Sequence, residues 1–258
     1  MNPAYTQNIS PFKEAKMANP TAAVLVIGDE ILSGRTRDSN MHLLSGELTR
    51  HGIRLMEARV VADDQPAIIE AVNALRRQWD HVFTSGGIGP THDDITADAV
   101  AGAFGVGIGI RDDARAILAA HYERSGLEFN AARQRMARIP DGATLIENPI
   151  SAAPGFTIGN VHVMAGVPTI FAAMVASVLP TLTGGAPLLS QSLQVNRGEG
   201  EVADAFGALA AEFPDLSMGS YPFIRNGAHG TNLVIRGTDG AQLDAAMQKL
   251  VALFGRPQ

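Results

Sequence analysis

Residues 80–96 read DHVFTSGGIGPTHDDIT, and this stretch decides the fold of the chain. Its apolar beginning is typical of a buried β-strand, which leads directly into a loop with three glycines. The segment that follows, DITADAVAGAFG, predicts a short helix. A strand, a glycine loop and a helix in this order are typical of an α/β sheet with ligands at the carboxyl ends of its strands.

Strands and helices alternate on both sides of this stretch, which favours a parallel sheet covered by helices on both faces. Strands are predicted at 22–27, 53–61, 80–85, 143–147, 155–158 and 161–165, and helices at 38–52, 65–78, 94–105, 111–126, 130–139 and 168–180. The segment TGGAPLL at 183–189 is typical of a linker. A β-α-β-β-α order after it predicts a small α+β domain at 188–258. The large domain is predicted at 21–182, and residues 1–20 as a flexible tail.

Composition excludes several classes of function. The chain of 258 residues has no cysteine, a formal net charge of −6 and 46% hydrophobic residues. No apolar run is long enough to cross a bilayer, and no secretory signal is evident, so we expect a cytoplasmic protein without a membrane partner. The absence of a basic face argues against binding of nucleic acid. The only lysines are Lys13, Lys16 and Lys249, so the middle of the chain has no P-loop lysine.

The glycine loop predicts a phosphate site. Gly86, Gly87 and Gly89 allow backbone N–H groups to approach an anion closely, and the N-terminus of the next helix adds partial positive charge. Thr91 and Thr96 carry hydroxyls that either bind phosphate or cap the helix.

Acidic residues close to this loop require an explanation, because carboxylates repel phosphate. A divalent cation such as Mg²⁺ or Co²⁺ would bridge Asp93 or Asp94 to a phosphate, with Asp29 and Glu30 at the end of the first strand as further ligands. The alternative is that Asp93 or Asp94 caps the helix that begins near Ile95.

Other polar residues favour structural interpretations. Asp38 and Asn40 lie at a good helix start, and His92 is typical of an exposed loop histidine. The segment RQRMAR contains Arg133, Arg135 and Arg138, and we favour their interpretation as the solvated face of an amphipathic helix. The alternative is that Arg138 points inward.

Four separated motifs resemble one known family. GDEILSGRTRDSN, TSGGIGPTHDDIT, NPISAAPGF and AGVPTIFAAM occur in that order between about 21 and 180. They resemble the molybdopterin-binding (MoaB/Mog) domain family, which includes molybdopterin adenylyltransferases, the N-terminal region of competence/damage-inducible protein A and a domain joined to eukaryotic FAD synthase. The segment MGSYPF resembles the small second domain of the competence/damage-inducible branch. The resemblance implies a Rossmann-like three-layer α/β/α fold, a divalent metal and a homodimer or homotrimer.

The resemblance also implies roles for individual residues. Asp94 matches the essential acid, Asp29 and Glu30 match the Gly-Asp-Glu turn, and Asn40 matches the Asp-x-Asn element. Two further turns match at Pro154, Gly155, Gly166 and Pro168. The chain departs from the family at Ala152, where a threonine is usual, and at Ile170, where many long members have glutamate.

Three functions are compatible with these residues. The Asp93–Asp94 doublet and the second domain resemble the competence/damage-inducible branch, and this resemblance implies a metal-dependent pyrophosphatase that cleaves a nucleotide such as ADP-ribose or FAD. The first alternative is a molybdopterin adenylyltransferase. The second is a non-catalytic protein that binds a pterin or a nucleotide, which the departures at Ala152 and Ile170 favour.

Overall fold

A computed structural model describes residues 19–225 and 227–255. Most of the predicted N-terminal tail, residues 1–18, lies outside the described residues. Asn19 and Pro20, the last two residues of the predicted tail, form hydrogen bonds with the folded part. Asn19 Nδ2 donates to the carbonyl of Ala186 (2.7 Å), and the carbonyl of Pro20 accepts from the amide of Arg54 (2.8 Å). The ordered fold therefore begins before Thr21.

The larger part of the chain contains strands β1–β8 and helices α1–α7. In chain order they are β1 Thr21–Ile27, α1 Asp29–Leu32, α2 Asn40–Arg50, β2 Arg54–Val61, α3 Gln65–Gln78, β3 His81–Ser85, α4 Thr96–Phe104, β4 Ile108–Ile110, α5 Asp112–Arg124, α6 Ala131–Gln134, β5 Arg138–Pro140, β6 Thr144–Ile146, β7 Gly155–Ile158, β8 Val161–Met164 and α7 Pro168–Val178. Short 3₁₀ turns follow α6 and α7.

The central sheet has the strand order β2-β1-β3-β8-β7-β6. The first four strands are parallel, whereas β7 runs antiparallel to both of its neighbours. A β7–β8 hairpin explains this change of direction, because only Gly159 and Asn160 connect the two strands and a parallel connection needs about a dozen residues or more. The predicted parallel arrangement is thus confirmed for β2, β1, β3 and β8. It is wrong for β7, which lies between β8 and β6.

Helices cover both faces of this sheet. In β1, Ala23, Leu25 and Ile27 pack with α3, α4 and α5, whereas Ala22, Val24 and Val26 pack with α2 and α7. Because successive side chains of a strand point to opposite faces, an uninterrupted apolar strand supplies both cores. The predicted class is therefore confirmed: a Rossmann-like α/β/α sandwich with a small C-terminal α+β unit.

One predicted helix is wrong. Residues 130–139 form the four-residue α6, a 3₁₀ turn and then β5, which pairs with β4 through Ile110 opposite Arg138. The antiparallel β4–β5 ladder is a non-local interaction, and it overrides the helical pattern of the local sequence.

The C-terminal unit has its own core. It consists of β9 Leu189–Val195, α8 Glu199–Glu212, β10 Ser217–Arg225, β11 Ala228–Gly237 and α9 Gly240–Phe254. The strands form an antiparallel sheet in the order β10-β11-β9, and the two helices pack against it around side chains such as Phe206, Leu233 and Leu250. The segment before β9 is fixed to the end of α2, since a Cβ on Gly184 would lie 2.2 Å from the carbonyl oxygen of His51.

Within the part of the chain that the structure describes, no helix has both the length and the hydrophobicity needed to cross a membrane.

Candidate functional site

The glycine loop leaves the end of β3 in a conformation that favours glycine. Gly86 and Gly87 have φ values of +114° and +68°, a region that side chains with a Cβ rarely adopt. There is also no room for a side chain, because a Cβ on Gly86 would lie 2.2 Å from the carbonyl oxygen of Ile27. The loop is thus built tightly onto the ends of β1 and β3.

Thr96 lies directly beneath this loop. Its amide donates to the carbonyl of Gly87 (3.0 Å), and a Cβ on Gly87 would lie 2.1 Å from Thr96 Oγ1. The Thr96 side chain is fully buried, and its hydroxyl has no hydrogen-bond partner among the described residues. The first turn of α4 therefore supports the glycine loop from below, and the Thr96 hydroxyl does not cap the helix.

Asp94 holds the outer end of the loop. Its Oδ2 accepts hydrogen bonds from the backbone amide of Thr91 (2.8 Å) and from the Thr91 hydroxyl (2.6 Å). Helix α4 has Ile95 at its N-cap and no side-chain cap. The alternative that Asp93 or Asp94 caps this helix is therefore wrong, and Thr91 acts here as a partner of Asp94. A Cβ on Gly89 would lie 2.6 Å from Asp94 Oδ2, so this glycine too is required by packing.

Asp63 is a site residue that the sequence interpretation missed. It follows the end of β2, and its Oδ2 accepts from the backbone amide of Asp29 (3.0 Å). Burial raises the pKa of the Asp63 carboxyl above its ordinary value of 3.8, and the charges of Asp29, Glu30 and Asp93 raise that pKa further, against the lowering effect of the hydrogen bond from Asp29. A signal was available in the sequence, because Asp63 follows the predicted strand 53–61 closely, as Asp29 follows the predicted strand 22–27.

A cleft of about 460 Å³ opens above these loops. It is large enough for a small organic ligand. Its walls come from the ends of β1, β2, β3 and β8, from the 148–153 loop and from Met136. Among the residues that line it are Gly28, Glu30, Asp63, Gly86, Gly87, Gly89, Asp93, Asp94, Asn148, Ser151, Gly166 and Ile170. The structure therefore brings most of the predicted motifs to one edge of the sheet.

Asn40 joins two of these loops from behind. Its side chain is buried, and Nδ2 donates to Ser85 Oγ (2.8 Å) and to the carbonyl of Gly166 (2.7 Å). Asp38 accepts from the amide of Met41 at the start of the same helix (3.1 Å). Asn40 thus positions the loops after β3 and β8. A direct contact between Asn40 and a ligand stays a prediction.

The 148–153 loop forms another wall of the cleft. Asn148 is buried and fixes this loop by donating to Ser151 Oγ (2.7 Å) and to the carbonyl of Ala153 (2.8 Å). Ala152, one of the departures from the family pattern, has φ +59° and is the one non-glycine residue with a positive φ in the described ranges. A left-handed alanine is strained by about 1–2 kcal/mol. Sequence interpretation also missed Asn148, although Asn before Pro is a turn signal.

Three predicted residues lie beside the cleft. Pro154 lines a small pocket next to the glycine loop, and Pro168 lines another one together with Asn40. Gly155 is buried in β7, where a Cβ would lie 2.3 Å from the carbonyl oxygen of Val163, so the packing of β7 on β8 requires glycine there. Their contact with a ligand stays a prediction.

The acidic residues have the oxygen donors that Mg²⁺ prefers. Glu30, Asp63, Asp93 and Asp94 line the cleft, whereas the exposed Asp29 supplies its amide to Asp63. Within the described residues, no three carboxylates or histidines are close enough to form a metal site by themselves. A cation that fits here would therefore need ligand oxygens in addition, which is the usual arrangement for Mg²⁺ with phosphates. The role of Asp29 as a metal ligand stays a prediction.

The arginines after α5 do not form the solvated face that the sequence pattern predicted. Arg138 forms a bidentate ion pair with Asp98 of α4 (2.7 and 2.5 Å). Arg133 lies over the ring of Tyr122, with its guanidinium carbon 4.6 Å from the ring centroid. Arg135 is half-buried beside the glycine loop. Arg135 lies in the 3₁₀ turn and Arg138 in β5, and both are partly buried rather than on a solvated helix face.

This fold defines an α/β protein with a cleft of small-molecule size beside a glycine loop. Residues 23–184 match the family described as "Probable molybdopterin binding domain". The match covers more than half of the chain, and the protein therefore belongs to the molybdopterin-binding domain family. Residues 187–256 match a second family, described as "FAD synthase, middle domain".

Similar proteins include a probable FAD synthase and a CinA-like protein. A protein of Archaeoglobus fulgidus is 31% identical over 77% of this chain and 84% of its own length. A "Probable FAD synthase" of Caenorhabditis elegans is 31% identical over 91% of this chain and 50% of its own length. A "CinA-like protein" of Citrifermentans bemidjiense is 38% identical over 63% of this chain and 40% of its own length. The chain thus spans half or less of the last two relatives.

A solved structure supports the fold of the larger part. The crystal structure of the CinA protein from Thermoplasma acidophilum, described as having unknown function, has a TM-score of 0.57 and 35% sequence identity. The similarity covers 62% of this chain and 98% of that one. The predicted resemblance to the competence/damage-inducible protein A group is thereby confirmed.

Proposed function

We propose that this protein is a divalent-metal-dependent nucleotide pyrophosphatase that cleaves a dinucleotide of the ADP-ribose or FAD type. The observation that carries the proposal is the meeting of a glycine loop with four carboxylates in one cleft, where burial and like charges raise the pKa of Asp63. The four carboxylates repel a phosphate in the cleft unless a cation lies between the carboxylates and the phosphate. Acids and an anion-binding loop in the same cleft therefore favour a metal–phosphate ligand.

The glycine loop would hold one phosphate. The absence of side chains at Gly87 and Gly89 would let a phosphate approach their backbone N–H groups, whereas the amide of Gly86 donates to the carbonyl of Met164 (3.2 Å). The N-terminus of α4 would add partial positive charge beneath the loop. Donors that are already fixed before the reaction stabilise negative charge without reorganisation. The packing on Ile27 and Thr96 provides this rigidity.

The carboxylates would hold the cation. Asp94, Asp93, Glu30 and Asp63 face the cleft from two sides of the loop. A bound divalent cation supplies charge neutralisation and polarisation of the phosphorus centre. Binding of a cation would also lower the pKa of Asp63, because it offsets the negative charges that now raise it. The fixed position of Asp94, held by Thr91, suits a metal ligand.

The relatives indicate which dinucleotides to test first. The name "Probable FAD synthase" belongs to a relative that matches 91% of this chain, and the C-terminal unit matches the middle domain of FAD synthase. FAD and ADP-ribose both contain a diphosphate joined to adenosine, and the volume of the cleft is in the range of sites for small organic ligands.

The test is the release of AMP from FAD and from ADP-ribose in the presence of Mg²⁺ or Co²⁺, followed by chromatography. The wild type should release AMP, and Asp94→Asn should lower the rate at least a hundredfold, since removal of a charge-stabilising group costs about 10²–10³ in kcat. Asparagine retains an oxygen for both hydrogen bonds from Thr91, so the loop should remain folded.

Asp63→Asn and Asp64→Asn form a matched pair for the same assay. Asp63 lines the cleft, whereas its neighbour Asp64 is exposed and caps α3 through Ala67. Asparagine caps a helix about as well as aspartate. We expect Asp63→Asn to raise the metal concentration needed for half-maximal rate and Asp64→Asn to leave it unchanged. Equal behaviour of the two variants would contradict a metal site at the end of β2.

A second candidate is a protein that binds a pterin or a nucleotide without turnover. The apolar side chain of Ile170 lines the cleft at a position where many long family members have glutamate, and this observation favours binding alone. A rise in melting temperature with FAD or AMP, without any AMP release, would support it. Transfer of AMP onto molybdopterin would instead support an adenylyltransferase.

A further inference from the structure

A second, smaller pocket adjoins the cleft on the far side of the glycine loop. Its volume is about 20 Å³, which is space for about one water-sized group. Gly87, Ile88, Gly89, Asp94 and Met136 line both the pocket and the cleft, so the two spaces share a wall. The remaining walls come from α4, from the 135–139 segment and from β7. A ligand on the glycine loop is therefore adjacent to this pocket.

Arg135 is the residue in this pocket whose interactions are incomplete. It forms no ion pair with any described residue, and its Nε atom is buried without a hydrogen-bond partner. Its neighbour in the pocket, Arg138, is neutralised by Asp98 through two hydrogen bonds. Buried polar groups are almost always hydrogen-bonded, and a buried donor without a partner calls for a specific explanation.

A bound anion would supply a partner for the guanidinium group of Arg135 at its terminal nitrogens, because the buried Nε is closed to a ligand. The guanidinium group is planar, always charged and suited to two parallel hydrogen bonds with a phosphate. Acidic residues surround the rest of the site, so the charge of Arg135 would be the local attraction for an anionic group that the cation does not neutralise. The small volume of the pocket suits a phosphoryl oxygen and excludes a base or a sugar.

The positions of the charges separate two parts of the ligand. In the sheet order β2-β1-β3-β8-β7, the acids Asp63 and Glu30 follow β2 and β1, on one side of the loop that leaves β3. The pocket of Arg135 is closed by Pro154 and Phe156, at the start of β7 on the other side. A diphosphate that lies across the loop would therefore reach both groups more readily than a single phosphate would.

We propose that Arg135 binds the second phosphate of a diphosphate ligand and so makes the site selective for diphosphates over monophosphates. This inference rests on the proposed function only in that the ligand is a nucleotide diphosphate, and it does not require turnover. It assigns to Arg135 a contact with the ligand at a position where the sequence pattern predicted solvent.

The test compares the binding of ADP and AMP by calorimetry, with Mg²⁺ present, in the wild type, Arg135→Gln and Arg135→Lys. We expect Arg135→Gln to weaken the binding of ADP about tenfold, which corresponds to about 1.4 kcal/mol, and that of AMP less than twofold. Arg135→Lys should retain part of the affinity for ADP, because lysine keeps the charge but not the planar fork.

Arg133→Gln is the matched control. It removes the same charge from the same segment, but Arg133 lies over Tyr122, outside the pocket. Its affinity for ADP should equal that of the wild type. Equal weakening of ADP and AMP in Arg135→Gln, unchanged binding of ADP, or no binding of ADP to the wild type at millimolar concentration would each overturn the inference. If Arg135→Gln does not fold, Arg135→Lys is compared with the wild type instead. The inference is overturned if the ratio of the ADP affinity to the AMP affinity is the same in these two proteins.

The AMP-release assay separates this inference from the proposed function. A wild type that binds ADP through Arg135 but cleaves no dinucleotide would support the inference and contradict the pyrophosphatase. If the wild type cleaves FAD and Arg135→Gln binds ADP with unchanged affinity, the pyrophosphatase is supported and the role of Arg135 is contradicted.

Discussion

At the scale of single residues, the glycines of the loop are required by the packing beneath them. A Cβ on Gly87 would point towards Thr96 Oγ1 at 2.1 Å, and one on Gly89 towards Asp94 at 2.6 Å. A larger residue would therefore displace the loop from α4 and from Asp94. Packing and the close approach of an anion are thus two separate reasons for glycine in this loop, and both can apply.

Gly87 and Gly105 offer a comparison that isolates the packing effect. Both have nearly the same backbone angle, φ +68° and φ +66°, but a Cβ on Gly105 would meet no atom within 4 Å. The strain of a left-handed alanine, about 1–2 kcal/mol, is thus common to both substitutions. We expect Gly87→Ala to lower the free energy of unfolding by about 1–3 kcal/mol more than Gly105→Ala does, because overpacking is added. Urea denaturation measures this difference, and equal losses would show that the loop adapts.

At the scale of elements, strands β3 and β8 hold two histidines at the end of the sheet opposite the cleft. His162 is buried beside Phe83, its Nε2 lies 3.3 Å from Nδ1 of His81, and its Nδ1 lies 3.0 Å from Thr157 Oγ1. Burial, together with a smaller effect of the charge of His81, lowers the pKa of His162 to about 3. Burial also lowers the pKa of His81 below 6.5. The packing of these strands thus favours the neutral form of both imidazoles.

The stability of the protein should therefore fall with pH below about 6.5. Each of the two histidines has a lower pKa in the folded chain than in the unfolded chain, so the unfolded chain binds protons there more readily and acid favours unfolding. The slope is up to about 1.4 kcal/mol per pH unit for each histidine. Melting temperatures at pH 7.5 and 5.0 measure the loss, and His162→Gln should reduce it. The exposed His92 provides the control His92→Gln; a similar change in both variants would contradict the assignment.

At the scale of the whole molecule, the two parts of the chain have separate cores. The large sheet buries its apolar side chains against α2–α5 and α7, whereas Leu193, Phe206, Leu233 and Leu250 form a core between β9–β11 and the helices α8 and α9. Glycine contacts such as that of Gly184 with His51 fix the connecting segment. A substitution that destabilises the core of the C-terminal unit should therefore leave the stability of the larger unit unchanged.

Leu250 and Leu253, both on α9, test this separation. Leu250 is fully buried and Leu253 is 48% exposed. Leu250→Ala should destabilise the C-terminal unit by about 2–5 kcal/mol, whereas Leu253→Ala should change its stability by less than about 0.5 kcal/mol. Hydrogen exchange read by mass spectrometry should show faster exchange in peptides from 189–255 of Leu250→Ala only. Faster exchange throughout 21–182 as well would show that the two units unfold together.

Local sequence determined the elements and the central loop of this protein. Apolar strands, helix stripes and glycine turns are short-range patterns, and they predicted β1, β3, α2, α3 and the position of Gly86–Gly89 at the carboxyl edge of the sheet. The four motifs also indicated the family, because each one combines turn and polar residues in a fixed order.

Tertiary structure decided which side chains meet, because contacts between distant segments depend on packing that no local pattern records. Asp63 becomes part of the cleft through the amide of Asp29, and Asn40 is engaged by Ser85 and Gly166. Pairing of β4 with β5 replaced a predicted helix and turned Arg135 and Arg138 inward. The sequence thus determined where the glycine loop and its cleft lie, and the fold determined which charges surround them.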